Sequence, residues 1–492
     1  MWYRTDMNMT FDDLIPLMPI LLVSATAVLA MVVIGLRRSY GMTASITIAG
    51  LLLAAVVAAM LMPGTNQQVT PLLIIDQYSL FFTVITCAAA MFIAIFSFPY
   101  LSNLDDDKEE YYLLLGIATI GAVVMVSSNH FVSTLLGLET LSMSLYGMVA
   151  YPVHSKNSTT HSLEASVKYL VLSAAASGFM LFGMALVYAQ TGTLAFSSLL
   201  NIGAGIGEGY SIAALLLISS GIAFKLSLAP FHMWTPDVYE GSPLPATTYL
   251  ATIGKAAMFV VLLRFVEISG ALNFASVVVV FSLIAALSIL AGNLLALLQN
   301  NLKRILAYSS IAHMGYLLLA VIASFFVEGS ISIEAVTFYL LAYVIMSLGA
   351  FGVASVVSTS RSELDDIDDY QGLFWRAPWL AAIFTGMLLS LAGIPLTVGF
   401  IAKFYVFMAG VESGLWILLA ILVIGSGIGL YYYLRIIYRM LTPATDKTPT
   451  PFSGVESLSS HSVLALLFVL LLVLGVFPAP VMAIIETISA FI

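Results

Sequence analysis

Four ionisable side chains stand inside long apolar runs of this 492-residue sequence. Glu139 lies in "STLLGLETLSMSLYG", Lys225 in "SSGIAFKLSLAP", Lys255 in "LATIGKAAMFVV" and Lys403 in "GFIAKFYVF". A charge at the centre of a membrane helix costs about 2.5–3.5 kcal/mol even on the most lenient insertion scale, so such residues need a reason. Glu139 and Lys225 have opposite sign and sit midway along their runs, which predicts a pair. Pairing favours both charged forms and desolvation opposes both, so moving one partner tips the balance. Freed of its counter-charge, Lys225 gives up a proton more readily. Lysine suits that task where arginine does not, because arginine stays charged. The other reading is a static pair that only locks two helices, although a buried pair is a poor stabiliser beside apolar packing. Lys255 and Lys403 have no acidic partner in their own runs. Three lysines and a glutamate at similar depth predict a polar line in the membrane plane.

A second tier of residues surrounds these. Ser309 and His313 in "LAYSSIAHMGY" are four apart on one helical face. A histidine there either relays protons or packs silently against its neighbours. Glu164 and Lys168, also four apart, form either a proton uptake point or a plain interfacial salt bridge. His232 and Asp237 lie beyond the apolar run of Lys225, with Trp234 between them, and are expected to cap broken helix ends rather than hold a metal. Only His232 and His313 are even candidates for a bis-His haem. Cys87 is the single cysteine, which excludes an internal disulfide and a Cys-ligated metal or iron–sulfur site; its apolar setting reads as packing. No Walker A pattern, dinucleotide fingerprint or placeable catalytic triad occurs. No cofactor or metal is expected in the chain.

The elements that must position these residues are membrane helices. Hydrophobic residues make up 61% of the chain and charged ones 9%, far below the quarter typical of soluble domains. The formal net charge of −9 comes from few residues, and no basic cluster offers a nucleic-acid surface. The opening "MWYRTDMNMTFDD" is mixed in charge and precedes too long an apolar run for a signal peptide. A ruler of about 20 residues per span predicts fourteen helices, near 14–36, 42–62, 77–99, 111–127, 131–151, 167–189, 211–234, 244–267, 274–297, 302–323, 333–358, 378–410, 415–440 and 462–490. The fold class is therefore all-α and polytopic.

Odd-numbered connections hold Arg37, Arg38, Lys108, Lys156, Lys168, Lys303, Arg304, Arg361, Arg376, Arg435, Arg439 and Lys447, and even-numbered ones hold Arg264 alone. That bias places odd connections in the cytoplasm and both termini outside. The polar stretches "STSRSELDDIDDYQG" and "LTPATDKTPTPFSGVESLSS" read as loops or linkers, and "DDDKEE" (Asp105–Glu110) as a solvated face or a partner-docking patch.

Two spans carry a proline after the same word, "LSLAP" ending at Pro230 in the seventh and "LSLAGIP" ending at Pro395 in the twelfth. Proline removes a backbone donor and clashes with the preceding turn, and in lipid the freed groups need protein or water. Both helices are predicted to be broken, each the fourth of a set of five: helices 4–8 and 9–13. Five is odd, so the sets are inverted, a transporter pattern. The alternative is two unrelated kinks. The expected division is 1–110 (helices 1–3), 111–270 (first repeat), 271–440 (inverted second repeat) and 441–492 (linker and helix 14). From the residues alone this is an ion-conducting module that draws its energy from elsewhere.

"FKLSLAPFHMWTPDVYEGSPLP" (224–245), "NLKRILAYSSIAHMGY" (301–316), "LAGIPLTVGFIAKFYVF" (391–407) and "GLYYYLRI" (429–436) resemble the antiporter-like membrane subunits of bacterial respiratory complex I, the proton-pumping NADH:quinone oxidoreductase. "HSLEASVKYLVLSAAASGFMLFGMALVYAQTG" (161–192) and "YQGLFWRAP" (370–378) point to a short type within it, without the long lateral helix of larger members. The motif around Lys225 alone is shared with multisubunit cation/proton antiporters and membrane-bound hydrogenases. The resemblance implies that Glu139 and Lys225 are the family's glutamate–lysine pair. It makes Lys255 the connecting lysine, Lys403 the lysine of the second broken helix, and His313 part of the central polar axis. It implies proton translocation in a bacterial inner membrane beside other membrane subunits. FMN, iron–sulfur clusters and quinone would lie in other subunits, and NADH and quinone would act only through the complex. The rival readings are a cation/proton antiporter subunit and an assembly scaffold.

Overall fold

The computed structural model describes residues 14–102, 104, 108–151, 160–197, 208–326, 331–360, 363–443 and 457–491. Arg4, Lys156, Arg361, Lys447 and Asp105 to Asp107 of the acidic run lie outside them. Each expected span falls on helix. In chain order the helices are α1 (Met18–Leu36), α2 (Tyr40–Leu61), α3 (Gln77–Leu101), α4 (Glu110–Val126), α5 (Phe131–Val149), α6 (Thr160–Thr191), α7 (Glu208–Lys225), α8 (Trp234–Gly241), α9 (Leu244–Ala251), α10 (Ile253–Ser269), α11 (Ala275–Leu297), α12 (Leu302–Ala323), α13 (Ile331–Val357), α14 (Leu373–Arg376), α15 (Pro378–Ala392), α16 (Val398–Glu412), α17 (Trp416–Leu441), α18 (Leu458–Val476) and α19 (Ala479–Ser489). Eleven helical segments, α9 and α10 counted together, are long and apolar enough to cross a membrane, and α4, α7, α15 and α19 are shorter apolar helices. One departure from the all-α expectation is a small antiparallel hairpin, β1 (Gln67–Thr70) with β2 (Leu73–Ile75), between α2 and α3.

A helix apolar on every side is either wrapped by protein or bathed in lipid, and the polar content decides which. Helix α12 carries Tyr308, Ser309, Ser310, His313 and Tyr316 and is buried along its whole length, with α13 and the α9–α10 rod nearly so. Helix α1, with no charged residue, leaves Val28, Leu29 and Met31 on the outer face. Close approach without a hydrophobic drive needs small residues. Helices α4 and α5 meet at Gly121 and Gly137, where an added Cβ on either would stand under 3 Å from the other's carbonyl oxygen.

The predicted breaks at the seventh and twelfth spans are present, and two further ones are found. Helix α7 ends at Lys225, not at residue 234, because Ser227 takes a left-handed φ of 62° three residues before Pro230. The freed Ala229 amide donates to the Ser288 hydroxyl at 2.8 Å, which satisfies the break from a neighbouring helix. Between α15 and α16, Gly393 (φ 88°) and Leu396 (φ 72°) turn the chain, and the Gly399 amide donates to the Ser390 hydroxyl at 3.0 Å. Glycine is required at 393 twice over. Its φ suits no side chain well, and a Cβ there would sit 2.9 Å from Cδ of Lys403. The unforeseen breaks fall at Thr252, between α9 and α10, and at Phe477–Pro478, between α18 and α19.

Arg264 corrects the loop count. It belongs to no connection but lies inside α10, 1% exposed, with two contacts from one nitrogen to the Asp76 carboxylate at 2.8 and 3.0 Å. Asp76 is also the N-cap of α3, accepting from the Ser79 amide at 2.7 Å.

Candidate functional site

The three lysines are each held by neutral oxygens, and among the described residues no carboxylate comes within ion-pair distance of them. Lys225 is the last residue of α7, and its side chain reaches the two neighbouring helices. It donates to Ser142 of α5 at 2.7 Å and to Ser173 of α6 at 2.5 Å, and its Nζ lies 5.7 Å from the ring centre of Tyr169. Tyr169 stacks on Trp234, whose indole N–H donates to the Phe224 carbonyl at 3.0 Å. The aromatic layer thus ties the end of α7 to the start of α8 across the break.

The expected direct contact between Glu139 and Lys225 is absent. Glu139 accepts instead from Ser177 at 2.7 Å. Ser173 and Ser177 are one turn apart on α6, so the same helix serves both charges with a hydroxyl each. Tyr146 donates to Ser173 at 2.7 Å from the α5 side. The physical reason for the separation is that these hydroxyls satisfy each charge locally, with no need for the long side chains to meet.

Lys255 stands one turn into α10, just past the break at Thr252. It is 1% exposed, donates to Ser310 of α12 at 2.6 Å and lies 5.6 Å from the Tyr239 ring. The Ser310 hydroxyl is 2.6 Å from that of Tyr343 on α13, and Tyr343 donates to the Ala251 carbonyl at 2.9 Å. His313, one turn along α12 from Ser309, is 2% exposed. Its Nδ1 is 2.7 Å from the Tyr339 hydroxyl and its Nε2 3.4 Å from that of Tyr433, which also meets Ser309. Its ring centre is 5.5 Å from that of Tyr343.

Lys403 of α16 reaches back across its own break. It donates to the carbonyls of Leu391 and Ala392 at 3.1 and 2.8 Å and to Ser426 of α17 at 3.0 Å. An ammonium has three N–H donors, and all three are used, two of them on the carbonyl end of α15. Its Nζ lies 5.3 Å from the ring centre of Tyr316, and the Tyr316 ring meets that of His313 edge-on at 5.8 Å. A lysine stands at each break by a different route: Lys225 ends the first half-helix and bonds to serines of neighbouring helices, whereas Lys403 comes from the second and donates to the carbonyl end of the first.

The outer tier differs from expectation in part. Asp237 does not cap a helix with its carboxylate; it bridges Lys168 at 3.1 Å and Arg304 at 2.9 Å, and Arg304 also meets Glu240 at 2.7 Å. Burial alone would raise the Asp237 carboxyl, but the hydrogen bonds and charges of Arg304 and Lys168 outweigh it and hold it below its ordinary range. Lys168 pairs with Glu164 at 2.8 Å, an exposed salt bridge. His232 is buried beside the first break, and among the described residues neither ring nitrogen makes a well-formed hydrogen bond; its only polar neighbour is the Pro230 backbone, so the expected cap is not formed. Lys303, at the start of α12, is buried against Glu363 at 2.5 Å and Asp365 at 3.1 Å, which anchors the stretch read as a loop or linker.

Ser142, Ser173, Ser177, Ser310, Tyr339 and Tyr343 were not foreseen. A signal existed: Ser173 with Ser177, and Tyr339 with Tyr343, recur at four-residue spacing within otherwise apolar helices.

Two severed helices, each with a lysine at its break, and buried hydroxyls around the lysines define a multi-pass membrane protein of the antiporter-like class. The family described as NADH:quinone oxidoreductase/Mrp antiporter, transmembrane, matches residues 128–429. NADH-quinone oxidoreductase subunit N of Methylococcus capsulatus is 46% identical over 96% of this chain and 94% of its own length. The chain belongs to the NADH-quinone oxidoreductase subunit N family. A chain of respiratory complex I from Thermus thermophilus, solved with bound aureothin, superposes with a TM-score of 0.80 at 32% identity, covering 94% of this chain and 98% of that one. Two more distant structures share the fold. They are a chain of an archaeal membrane-bound sulfane sulfur reductase (TM-score 0.83, 24% identity, 97% of both chains) and one of the Mrp complex of a Dietzia species (TM-score 0.84, 20% identity, 98% of this chain and 97% of that one).

Proposed function

We propose that this chain is a proton-translocating membrane subunit of a bacterial NADH:quinone oxidoreductase. The observation that carries the reading is the set Lys225, Lys255 and Lys403, each buried or half-buried on neutral oxygens, with Ser310, Tyr343, His313 and Tyr316 lying between Lys255 and Lys403. Protons enter from the cytoplasm, charge the relay Lys225–Lys255–Lys403 and leave on the far side. Glu139 tunes Lys225 from one helical turn away. Expected spans 4–8 (111–270) and 9–13 (271–440) act as inverted repeats around these lysines, between an N-terminal section (1–110) and a linker with the C-terminal helix (441–492).

The chain itself holds no redox centre in this reading. FMN, iron–sulfur clusters and quinone belong to other subunits, and NADH oxidation drives the relay through the assembled complex. The partners are further antiporter-like and small membrane subunits in the bacterial inner membrane, with both termini on the periplasmic side.

The test is to tag the chain, extract it in mild detergent and identify its companions by mass spectrometry, with NADH:quinone activity measured on the same material. Flavin and iron–sulfur subunits with that activity support the reading. Recovery with small membrane antiporter subunits alone, and sodium-dependent, NADH-independent proton movement, would replace it with an ion-gradient antiporter.

A further inference from the structure

The hydrogen bonds around Lys255 have a fixed direction. An ammonium only donates and a carbonyl only accepts, while a hydroxyl has one hydrogen to give. Tyr343 gives its hydrogen to the Ala251 carbonyl. The 2.6 Å contact between Ser310 and Tyr343 must then be donated by Ser310, and Lys255 donates to Ser310. Every donor in the chain Lys255–Ser310–Tyr343 points away from the lysine, and the chain stops at a carbonyl that has no proton to pass on.

The break at Thr252 supplies that terminal carbonyl. Across the break the Ala256 amide donates to the Thr252 carbonyl at 2.9 Å, and the Ala251 carbonyl is taken by Tyr343 from α13. Tyr343 also stands between the two halves of the polar row, its ring 5.5 Å from that of His313. Thr252, Ser310 and Tyr343 are all buried.

We propose that Tyr343 is the positioning residue that holds Lys255 loaded: its hydroxyl closes the Ser310–Tyr343 chain onto the Ala251 carbonyl, and a proton moves on toward His313 only when that bond opens. Release moves one proton through the chain and no heavy atom: the Tyr343 O–H leaves Ala251 and gives its proton on the His313 side, to be held by the imidazole, Tyr343 takes the Ser310 proton, and Ser310 takes one from the Lys255 ammonium, which becomes the neutral amine. Both hydroxyls then point toward Lys255 and turn back to the Ala251 carbonyl once the lysine is charged again. The inference rests on the proton-relay reading above.

The test uses the intact complex in inverted membrane vesicles and measures protons moved per NADH oxidised. Tyr343→Phe is expected to lower that ratio at least threefold while NADH oxidation falls less, because the latch is lost but the drive remains. Ser310→Ala should do the same, the double variant should be no worse than either single one, and Ser310→Thr should restore the ratio. A role in packing alone lowers oxidation and pumping together and leaves the ratio unchanged, which overturns the proposal, as do single losses that multiply in the double variant. If Tyr343→Phe does not assemble, Ser310→Ala decides by the same ratio. Lys255→Ala separates the two levels. A normal ratio in that variant removes the relay reading itself, whereas a lowered ratio there with normal ratios in Tyr343→Phe and Ser310→Ala removes only the latch.

Discussion

Glu139 and Lys225 are served by adjacent turns of one helix and do not touch: Ser177 holds the carboxylate at 2.7 Å and Ser173 the ammonium at 2.5 Å. A fully buried pair in contact is hard to separate, because parting it leaves two bare charges in a low dielectric. Charges already satisfied by hydroxyls change distance without that penalty. The spaced arrangement fits a pair whose strength is meant to vary.

In the proposed relay, Lys225 is the member of this arrangement that carries the mobile proton. Lys225→Ala should reduce NADH-driven proton uptake into inverted vesicles tenfold or more while the complex still assembles. Lys225→Arg should fail nearly as badly, because arginine keeps its charge and cannot cycle. Fluorescence quenching of an acridine dye, normalised to the amount of complex in the membrane, checks both. Pumping at the wild-type level in either variant sinks the relay.

Ser173 receives Lys225 and Tyr146 together, so its removal strips Lys225 of one of two oxygen partners. Ser173→Ala should slow coupled turnover about three- to tenfold, equivalent to about 0.7–1.4 kcal/mol, the range of one hydrogen bond. Ser173→Thr keeps the hydroxyl and should recover most of it. Steady-state NADH:quinone rates of the three forms decide the matter, and equal rates would mean that Ser142 alone suffices.

Although the proline at 478 passed unread inside the expected 462–490 span, the breaks at Pro230 and Pro395 were legible from a repeated word ending in proline. The break at Thr252 was not, because "LATIGK" has no proline and reads as ordinary helix. It is stabilised from outside, by the Tyr343 hydroxyl on the Ala251 carbonyl. The lysines were legible because a charge in an apolar run is conspicuous, but their partners were not. Serine and tyrosine are common in these helices, and only packing reveals which of them face a lysine. Opposite charge suggested that Glu139 and Lys225 would meet, which overlooked how cheaply a hydroxyl satisfies either. The Arg264–Asp76 contact joins residues 188 positions apart and leaves no mark in local sequence.

That contact should be structural. Arg264 and Asp76 are both about 1% exposed, and they fasten α10 to the cap of α3. Removing one partner of a buried pair typically costs about 3–5 kcal/mol. Asp76→Ala or Arg264→Ala should therefore lower the yield and thermal stability of the complex in detergent, read by a thermal shift. Arg264→Met combined with Asp76→Leu should recover much of that stability, because apolar groups of similar size leave no bare charge. The complex that does assemble should pump at the normal ratio per NADH, which distinguishes this pair from the lysine row.

Asp237 gives the assembly an acid-sensitive clasp. The carboxylate joins Lys168 of α6 to Arg304 of α12, and those two partners hold its carboxyl below the ordinary range despite the opposing effect of burial. A carboxyl depressed in the folded state binds fewer protons there than in the unfolded chain. Its contribution is then complete above the unfolded value and is lost as pH falls through the folded one. The clasp is partly exposed, so the effect is modest and weakens with salt. Thermal stability of the purified complex should fall from neutral pH into the acid carboxylate range. In Asp237→Asn that fall should be shallower, since an amide does not titrate. An identical acid limb in the two proteins would show that other carboxylates set it.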